Sequence, residues 1–212
     1  SAELEKMKQL GIQVLFVDSN PDPHEFNSVQ PNLQMMVETA IDYFVQTGYQ
    51  KIGFIGGRSW DSTEGRNVLR DTRTRCFESR ARELGLFNPE HVFIGDNFSV
   101  DSGYQVGREI VGKIRDDLPQ AFLVASDPLA VGVLQAFNEN KLTVPEDVSM
   151  ISINDIDIAK YVSPPLTTFR IDTEELGKVA IETLRNLIVA PKKSKRMILL
   201  DADLVFRKSF SI

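Results

Sequence analysis

The chain has 212 residues, of which 42% are hydrophobic and 25% are charged, as in an ordinary soluble globular protein. A net charge of −6 argues against a nucleic-acid-binding surface, which needs clustered lysine and arginine. The single cysteine, Cys76, excludes an internal disulfide or a cysteine-rich metal site and is expected to be a buried thiol. No apolar run approaches the ~18 residues of a membrane span, and no signal peptide is apparent, so a reducing cytoplasm is expected.

Apolar runs typical of buried strands alternate with amphipathic helical stretches along the chain. A helix is predicted first, over residues 3–10. The predicted strands cover residues 13–17, 51–55, 91–94, 121–125 and 148–153, with one or two more over 197–206. The other predicted helices cover residues 35–47, 72–84, 101–114, 128–140 and 174–189. This alternation predicts an α/β fold with a mostly parallel, doubly wound sheet.

Polar side chains follow several of the predicted strands. They are Asp18, the run from Gly95 to Phe98, Ser126, Asp127, Asn154 and Asp155. Parallel strands place their carboxyl ends at one edge of a sheet, where ligands bind in open α/β folds. Carboxylates and amides with one aromatic face suit a ligand rich in hydroxyl groups. The alternative is that these residues only cap helices, which we favour for Asp127 because Pro128 follows it.

Arg73 is the basic residue best placed to bind a ligand, because it lies on the first turn of the predicted helix over residues 72–84. A guanidinium there could donate two parallel hydrogen bonds to adjacent hydroxyl groups. Arg80 and Arg82 on the same helix are interpreted as a solvated face.

Catalysis finds little support in the sequence. The only histidines are His24 and His91, and neither pairs with a candidate nucleophile; His91 is expected to be exposed. No metal-ligand spacing occurs, and the GFIGG run over residues 53–57 matches neither a dinucleotide nor a phosphate-loop motif. We therefore predict no catalytic residue, metal ligand or cofactor.

Four segments carry a resemblance to a known family, in the same order as in that family. They are GYQKIGFIGG, FSVDSGYQ, SDPLAVGVLQAFNENKLTVPEDVS and VPEDVSMISINDIDIAKYVSPPLTTF. On these the chain resembles the lactose-repressor/galactose-repressor (LacI/GalR) family of bacterial transcription regulators, and in particular galactose- and lactose-operon repressors. The resemblance covers essentially all 212 residues.

The resemblance implies a type I periplasmic-binding-protein fold, with two doubly wound parallel-sheet lobes joined by three crossovers. An N-terminal lobe would comprise residues 1–31 and 170–199, and a C-terminal lobe residues 32–169 and 200–212. The N-terminal lobe is expected to be truncated, and the helix-turn-helix headpiece of the family would lie outside this chain.

Effector contacts implied by the resemblance fall on Asp18, Arg73, Phe98, Ser126 and Asn154, with a sugar in the interlobe cleft. Ser126 stands where asparagine is common in lactose repressors, and Asn154 where aspartate is common, which leaves the identity of the sugar open. The implied homodimer interface includes Asp127, Ala130, Leu134, Ile158, Tyr161 and Val162, although the apolar members could be ordinary core.

Three functions are compatible with the sequence to different degrees. The favoured one is the effector-binding and dimerisation domain of a sugar-responsive repressor, which reaches operator DNA only through its headpiece and binds galactose or a galactoside. The alternative is a secreted sugar receptor for transport, against which the absence of a signal peptide is weighed. A sugar-modifying enzyme lacks an acid/base pair. No membrane partner is expected.

Overall fold

The computed structural model describes residues 2–58, 71–191 and 194–210. The chain divides into two compact units. Unit 1 comprises Ser1–Asn32 and Ile171–Ala202, and unit 2 comprises Leu33–Arg170 and Asp203–Ile212. The chain therefore passes between the units three times, after Asn32, after Arg170 and after Ala202.

Six α-helices and nine strands lie within the described residues. The helices are α1 (Ala2–Gln9), α2 (Leu33–Gln46), α3 (Thr72–Glu83), α4 (Val100–Ile114), α5 (Asp127–Glu139) and α6 (Thr173–Val189). The strands are β1 (Leu15–Val17), β2 (Asn27–Pro31), β3 (Ile52–Gly57), β4 (Val92–Gly95), β5 (Ala121–Val124), β6 (Ser149–Asn154), β7 (Thr167–Arg170), β8 (Met197–Leu200) and β9 (Asp203–Val205).

Unit 1 contains a three-stranded parallel sheet in the order β1-β2-β8. Helix α6 packs against this sheet, because its apolar stripe carries Leu176 and Ala180 onto the buried Val29 of β2. Leu15 and Ile198, from the flanking strands, complete this small core.

Unit 2 contains a six-stranded sheet in the order β4-β3-β5-β6-β7-β9. All neighbours are parallel except the edge strand β9, which runs antiparallel to β7. Every residue of β3 and β5 is buried, as expected of parallel strands covered by helices. Helices α2 and α3 pack on each other, as do α4 and α5. The predicted doubly wound parallel architecture is thus confirmed.

Helices α4 and α5 approach closely enough that only glycine fits at their contact. A β-carbon on Gly103 would overlap the carbonyl of Leu129, and one on Gly132 would overlap the carbonyl of Val100. Because both glycines lie near the helix starts, this contact fixes the N-terminus of α5, where Ser126 and Asp127 are found.

Four expectations differ from the structure. No strand was predicted at β2 or at β7, because the buried side chains of both strands are largely polar. They are Asn27 and Ser28 in β2, and Thr167 and Thr168 in β7. His91 is buried, not exposed, and its Nε2 lies 3.5 Å from a carboxylate oxygen of Asp117. Cys76 is half-buried.

Candidate functional site

The carboxyl ends of β5 and β6 form the candidate site in unit 2. These two strands are parallel neighbours, with Ala121 aligned to Ser149. Ser126 is the second residue after β5, and Asn154 is the last residue of β6. The prediction that polar residues follow adjacent strands at one edge is therefore confirmed for this pair.

Arg73 reaches the same edge from the first turn of α3. Its Nη1 donates to the carbonyl oxygen of Ala125 at 2.6 Å, which ties it to the end of β5. Its carbon Cζ lies 4.5 Å from the ring centroid of Phe98, so the guanidinium stacks on that half-buried ring. The structure thus brings together Arg73, Phe98 and the residue before Ser126.

Asp71, which the sequence analysis did not identify, neutralises Arg73. Its two carboxylate oxygens accept from Nε at 2.7 Å and Nη2 at 2.9 Å, and it also caps α3 by accepting from the Arg73 amide. Burial would raise the pKa of Asp71, but the hydrogen bonds and charge of Arg73 outweigh burial and lower it. Arg73 has five N–H donors, so two remain without a partner among the described residues.

Two buried polar atoms at this edge have no hydrogen-bond partner among the described residues. They are the hydroxyl oxygen Oγ of Ser126 and the side-chain carbonyl oxygen Oδ1 of Asn154. Ser126 occupies the N-cap position of α5 but makes no side-chain capping bond. Helix capping therefore does not account for this serine.

Asp127 does not cap a helix, as was favoured from the proline after it. It also does not lie at the surface, where a residue of a dimer interface would have to be. Its side chain is fully buried and accepts from the hydroxyls of Ser152 at 2.5 Å and Thr168 at 2.7 Å. Its second oxygen accepts from the Ile156 amide at 2.8 Å. Burial raises the pKa of Asp127, although these three hydrogen bonds act in the opposite direction.

Asp18 lies in unit 1, at the end of β1. It is exposed, has a positive φ of 71°, and its amide donates to the Val29 carbonyl at 3.0 Å. Its predicted contact with a ligand stays a prediction.

The residues assigned to a dimer interface fall into two groups. Asp127, Ala130 and Leu134 are buried within their own chain, so their side chains are not available to a second copy, and their assignment is corrected. Helix α5 instead turns this face toward the interior of the chain. Ile158 and Tyr161 are exposed and Val162 is half-buried on the segment after β6.

The described residues contain neither a candidate metal site nor a candidate membrane-spanning helix. No cluster of three or more histidine, cysteine, aspartate or glutamate side chains in them could hold a metal ion. None of the helices found in them combines the length and apolarity needed to cross a membrane.

Comparison with known proteins identifies the family. Residues 41–210 match the periplasmic binding protein-like domain. The chain is 41% identical over 210 residues to the HTH-type transcriptional regulator LacR of Lactobacillus helveticus, covering 99% of this chain and 62% of that protein. It is 38% identical over 209 residues to the HTH-type transcriptional regulator GanR of Bacillus subtilis, covering 99% and 63%.

The fold is shared with solved structures as well. A LacI family transcriptional regulator from Arthrobacter sp. FB24, in complex with lactose, superposes with a TM-score of 0.80 at 23% identity, covering 97% of this chain and 74% of that one. The chain spans less than two thirds of the length of the two curated relatives above. It belongs to the periplasmic-binding-protein-like family of domains, in the form carried by LacI/GalR-type transcriptional regulators.

Proposed function

We propose that this chain is the effector-binding and dimerisation domain of a sugar-responsive, cytoplasmic LacI/GalR-type repressor and has no enzymatic activity. A mono- or disaccharide, specifically galactose or a galactoside, binds at the carboxyl edge of the unit 2 sheet. The observation that carries this proposal is the pair of unpartnered buried oxygens on Ser126 and Asn154, at the ends of neighbouring strands.

Leaving a buried polar atom without a partner costs about 1–3 kcal/mol, so such atoms in a native site indicate a partner that arrives with a ligand. The Asn154 oxygen can only accept, whereas the Ser126 hydroxyl can donate or accept. Sugar hydroxyl groups, which do both, match this pair. The ring of Phe98, over which the Arg73 guanidinium lies, adds an apolar surface at the same edge of the sheet.

The charges at this edge support a neutral sugar. Arg73 is paired with Asp71, and Asp127 is enclosed by its own hydrogen-bond donors, so neither offers an unbalanced charge to a ligand. A phosphorylated sugar would find no free cation among these three residues. The resemblance to galactose- and lactose-operon repressors and the lactose held by the related structure support a galactoside.

The sugar would act by shifting a conformational population. A ligand moves an equilibrium between a DNA-competent and a DNA-incompetent state only by its difference in affinity for the two. DNA binding itself would belong to a helix-turn-helix segment of the whole protein, as the description of the curated relatives as HTH-type regulators suggests.

Replacing Ser126 by alanine tests the site, because the effects on binding and stability should have opposite signs. Loss of one neutral hydrogen bond should weaken sugar binding about 3- to 10-fold. The free energy of unfolding without sugar should stay constant or rise, because the substitution removes a buried hydroxyl that has no partner. Calorimetry and denaturant unfolding of the protein expressed from its complete reading frame measure both quantities.

Ser149→Ala is the matched control. Ser149 is also buried, but its hydroxyl lies 2.9 Å from the Tyr49 hydroxyl. This variant should lose about 1 kcal/mol of stability and keep its sugar affinity. If Ser126→Ala instead behaves like Ser149→Ala, the Ser126 hydroxyl does not contact the sugar and the proposed site is wrong.

We also propose that the chain forms a symmetric dimer through the exposed apolar segment after β6. Ile156 and Ile158 are exposed there, and 80% of the Tyr161 surface is accessible. Three large apolar side chains within six residues form a contact surface of the kind that isologous dimers use. A dimeric regulator can match two operator half-sites.

Tyr161→Asp should weaken this dimer on the order of 100-fold, because a carboxylate would lose its hydration inside an apolar contact. Sedimentation equilibrium over a range of concentrations measures the dissociation constant. Val45→Asp places the same charge on an exposed apolar position of α2 and should leave the dimer intact. A strictly monomeric wild-type protein, or equal effects of the two substitutions, would refute this interface.

A further inference from the structure

The turn after β6 contains two consecutive non-glycine residues in the left-handed region. Asn154 has a φ of 120° and Asp155 a φ of 53°. L-residues with a β-carbon adopt such angles unfavourably, so a turn of this kind persists only where neighbouring contacts hold it. The contacts that hold it therefore determine where the Asn154 side chain is presented.

The carboxylate of Asp155 supplies two of these contacts. Only 1% of this side chain is exposed, and its Oδ2 accepts from Nε of Arg170 at 2.7 Å. Its Oδ1 accepts from Nη2 of Arg207 at 2.6 Å. Arg207 is itself held by the Leu166 carbonyl, to which Nη1 donates at 2.8 Å. A buried carboxylate thus anchors the turn to two guanidinium groups.

Both arginines lie close to points where the chain passes between the units. Arg170 is the last residue of β7 and the last residue before the chain enters unit 1. Arg207 follows β9, the strand with which the chain re-enters unit 2 at Asp203. Arg170 also pairs with Asp203 in the β7–β9 ladder. One carboxylate therefore joins the end of β6 to both of these segments.

We propose that Asp155 is a positioning residue for the effector: it fixes Asn154 in its left-handed conformation and couples it to the two segments that carry Arg170 and Arg207. This inference rests on the proposed sugar site. Asp155 would act on the ligand only through Asn154, since its own oxygens are occupied by the two arginines. The resemblance that identified Asn154 assigned no role to its neighbour.

Asp155→Asn removes the negative charge of the carboxylate and replaces one acceptor oxygen by an NH₂ donor. This donor would face an arginine N–H, so one of the two hydrogen bonds is lost. The turn should loosen, and sugar affinity should fall about 3- to 10-fold, the loss of the one neutral hydrogen bond that Asn154 provides. In a background that already carries Asn154→Ala, the same substitution should change affinity less than about twofold. A purely structural role would give the same loss in both backgrounds, and that result would overturn the proposal.

Asp117→Asn is the matched control. Asp117 also bridges two basic side chains, with its oxygens 2.5 Å from Nζ of Lys51 and 3.5 Å from Nε2 of His91, but it precedes β5 and so lies toward the other end of the sheet. It should leave sugar affinity unchanged in both backgrounds. If Asp155→Asn fails to fold, Arg170→Gln, which removes one exposed arm of the cluster, replaces it in the same cycle.

A second readout separates this inference from the proposed function. Amide hydrogen exchange at Ile156, without sugar, should accelerate on the order of tenfold or more in Asp155→Asn and stay unchanged in Asp117→Asn. If the wild-type protein binds no sugar, the proposed function is wrong. The exchange rate at Ile156, which is measured without sugar, still shows whether Asp155 holds the turn. Unchanged exchange at Ile156 would overturn the positioning role.

Discussion

Arg73→Ala is expected to weaken sugar binding by 10- to 100-fold. Two N–H groups of Arg73 remain available after its bonds to Asp71 and Ala125, and a hydrogen bond from a charged donor contributes about 1.5–3 kcal/mol. The substitution also uncovers the face of Phe98 on which the guanidinium stacks. Calorimetric titration with a galactoside measures the effect.

Stability must be followed in the same variant, because Arg73→Ala leaves the mostly buried Asp71 carboxylate without its partner. Arg75→Ala is the control, since Arg75 lies two residues further along α3, is exposed, and donates only to the Thr72 hydroxyl among the described residues. This variant should bind sugar like the wild type. An Arg73→Ala protein that folds and binds with unchanged affinity would remove Arg73 from the site.

Asp127→Ala is expected to lower the free energy of unfolding by about 3–5 kcal/mol, because each buried donor left without a partner costs about 1–3 kcal/mol. The donors are the hydroxyls of Ser152 and Thr168 and the amide of Ile156. Denaturant unfolding measures the loss. Asp101→Ala, an exposed aspartate in the first turn of α4, should change stability by less than about 0.5 kcal/mol. Equal effects would contradict the buried network.

The pH dependence of stability provides a second test of Asp127. Because the folded-state pKa of Asp127 lies above its unfolded value, its contribution to stability is fully present below the unfolded pKa. That contribution is lost as pH rises through the folded pKa. Asp127→Asn keeps an acceptor for the two hydroxyls but cannot ionise. The wild type should therefore lose stability as pH rises through the folded-state pKa of Asp127, whereas the variant should not.

The sheet edge could be predicted from the sequence because its signals are local. Short apolar runs mark β5 and β6, and the polar residues directly after them must lie where parallel strands end. The same reasoning placed Ser126 and Asn154 at one edge. It did not find β2 and β7, because hydropathy detects apolar runs, whereas these strands bury hydrogen-bonded polar side chains such as Asn27 and Thr167.

The ion pairs around the site were harder to predict from the sequence. Asp155 and Arg207 are 52 residues apart, and nothing in the spacing of either residue indicates that they meet. Asp71 was within reach, since an aspartate just before a predicted helix is an N-cap signal and lies two residues from Arg73. The burial of Asp127 was not predicted, because a proline directly after an aspartate is typical of a helix start and favoured a helix cap at the surface.

Titration of the protein expressed from its complete reading frame with lactose, galactose, glucose and galactose 6-phosphate, followed by calorimetry, tests the central claim most directly. We expect a neutral galactoside to bind, the phosphorylated sugar to bind at least about tenfold more weakly because the Arg73 charge is already paired, and Ser126→Ala and Asn154→Ala to reduce the affinity. Absence of binding by every sugar, or tighter binding of the phosphorylated one, would contradict the account.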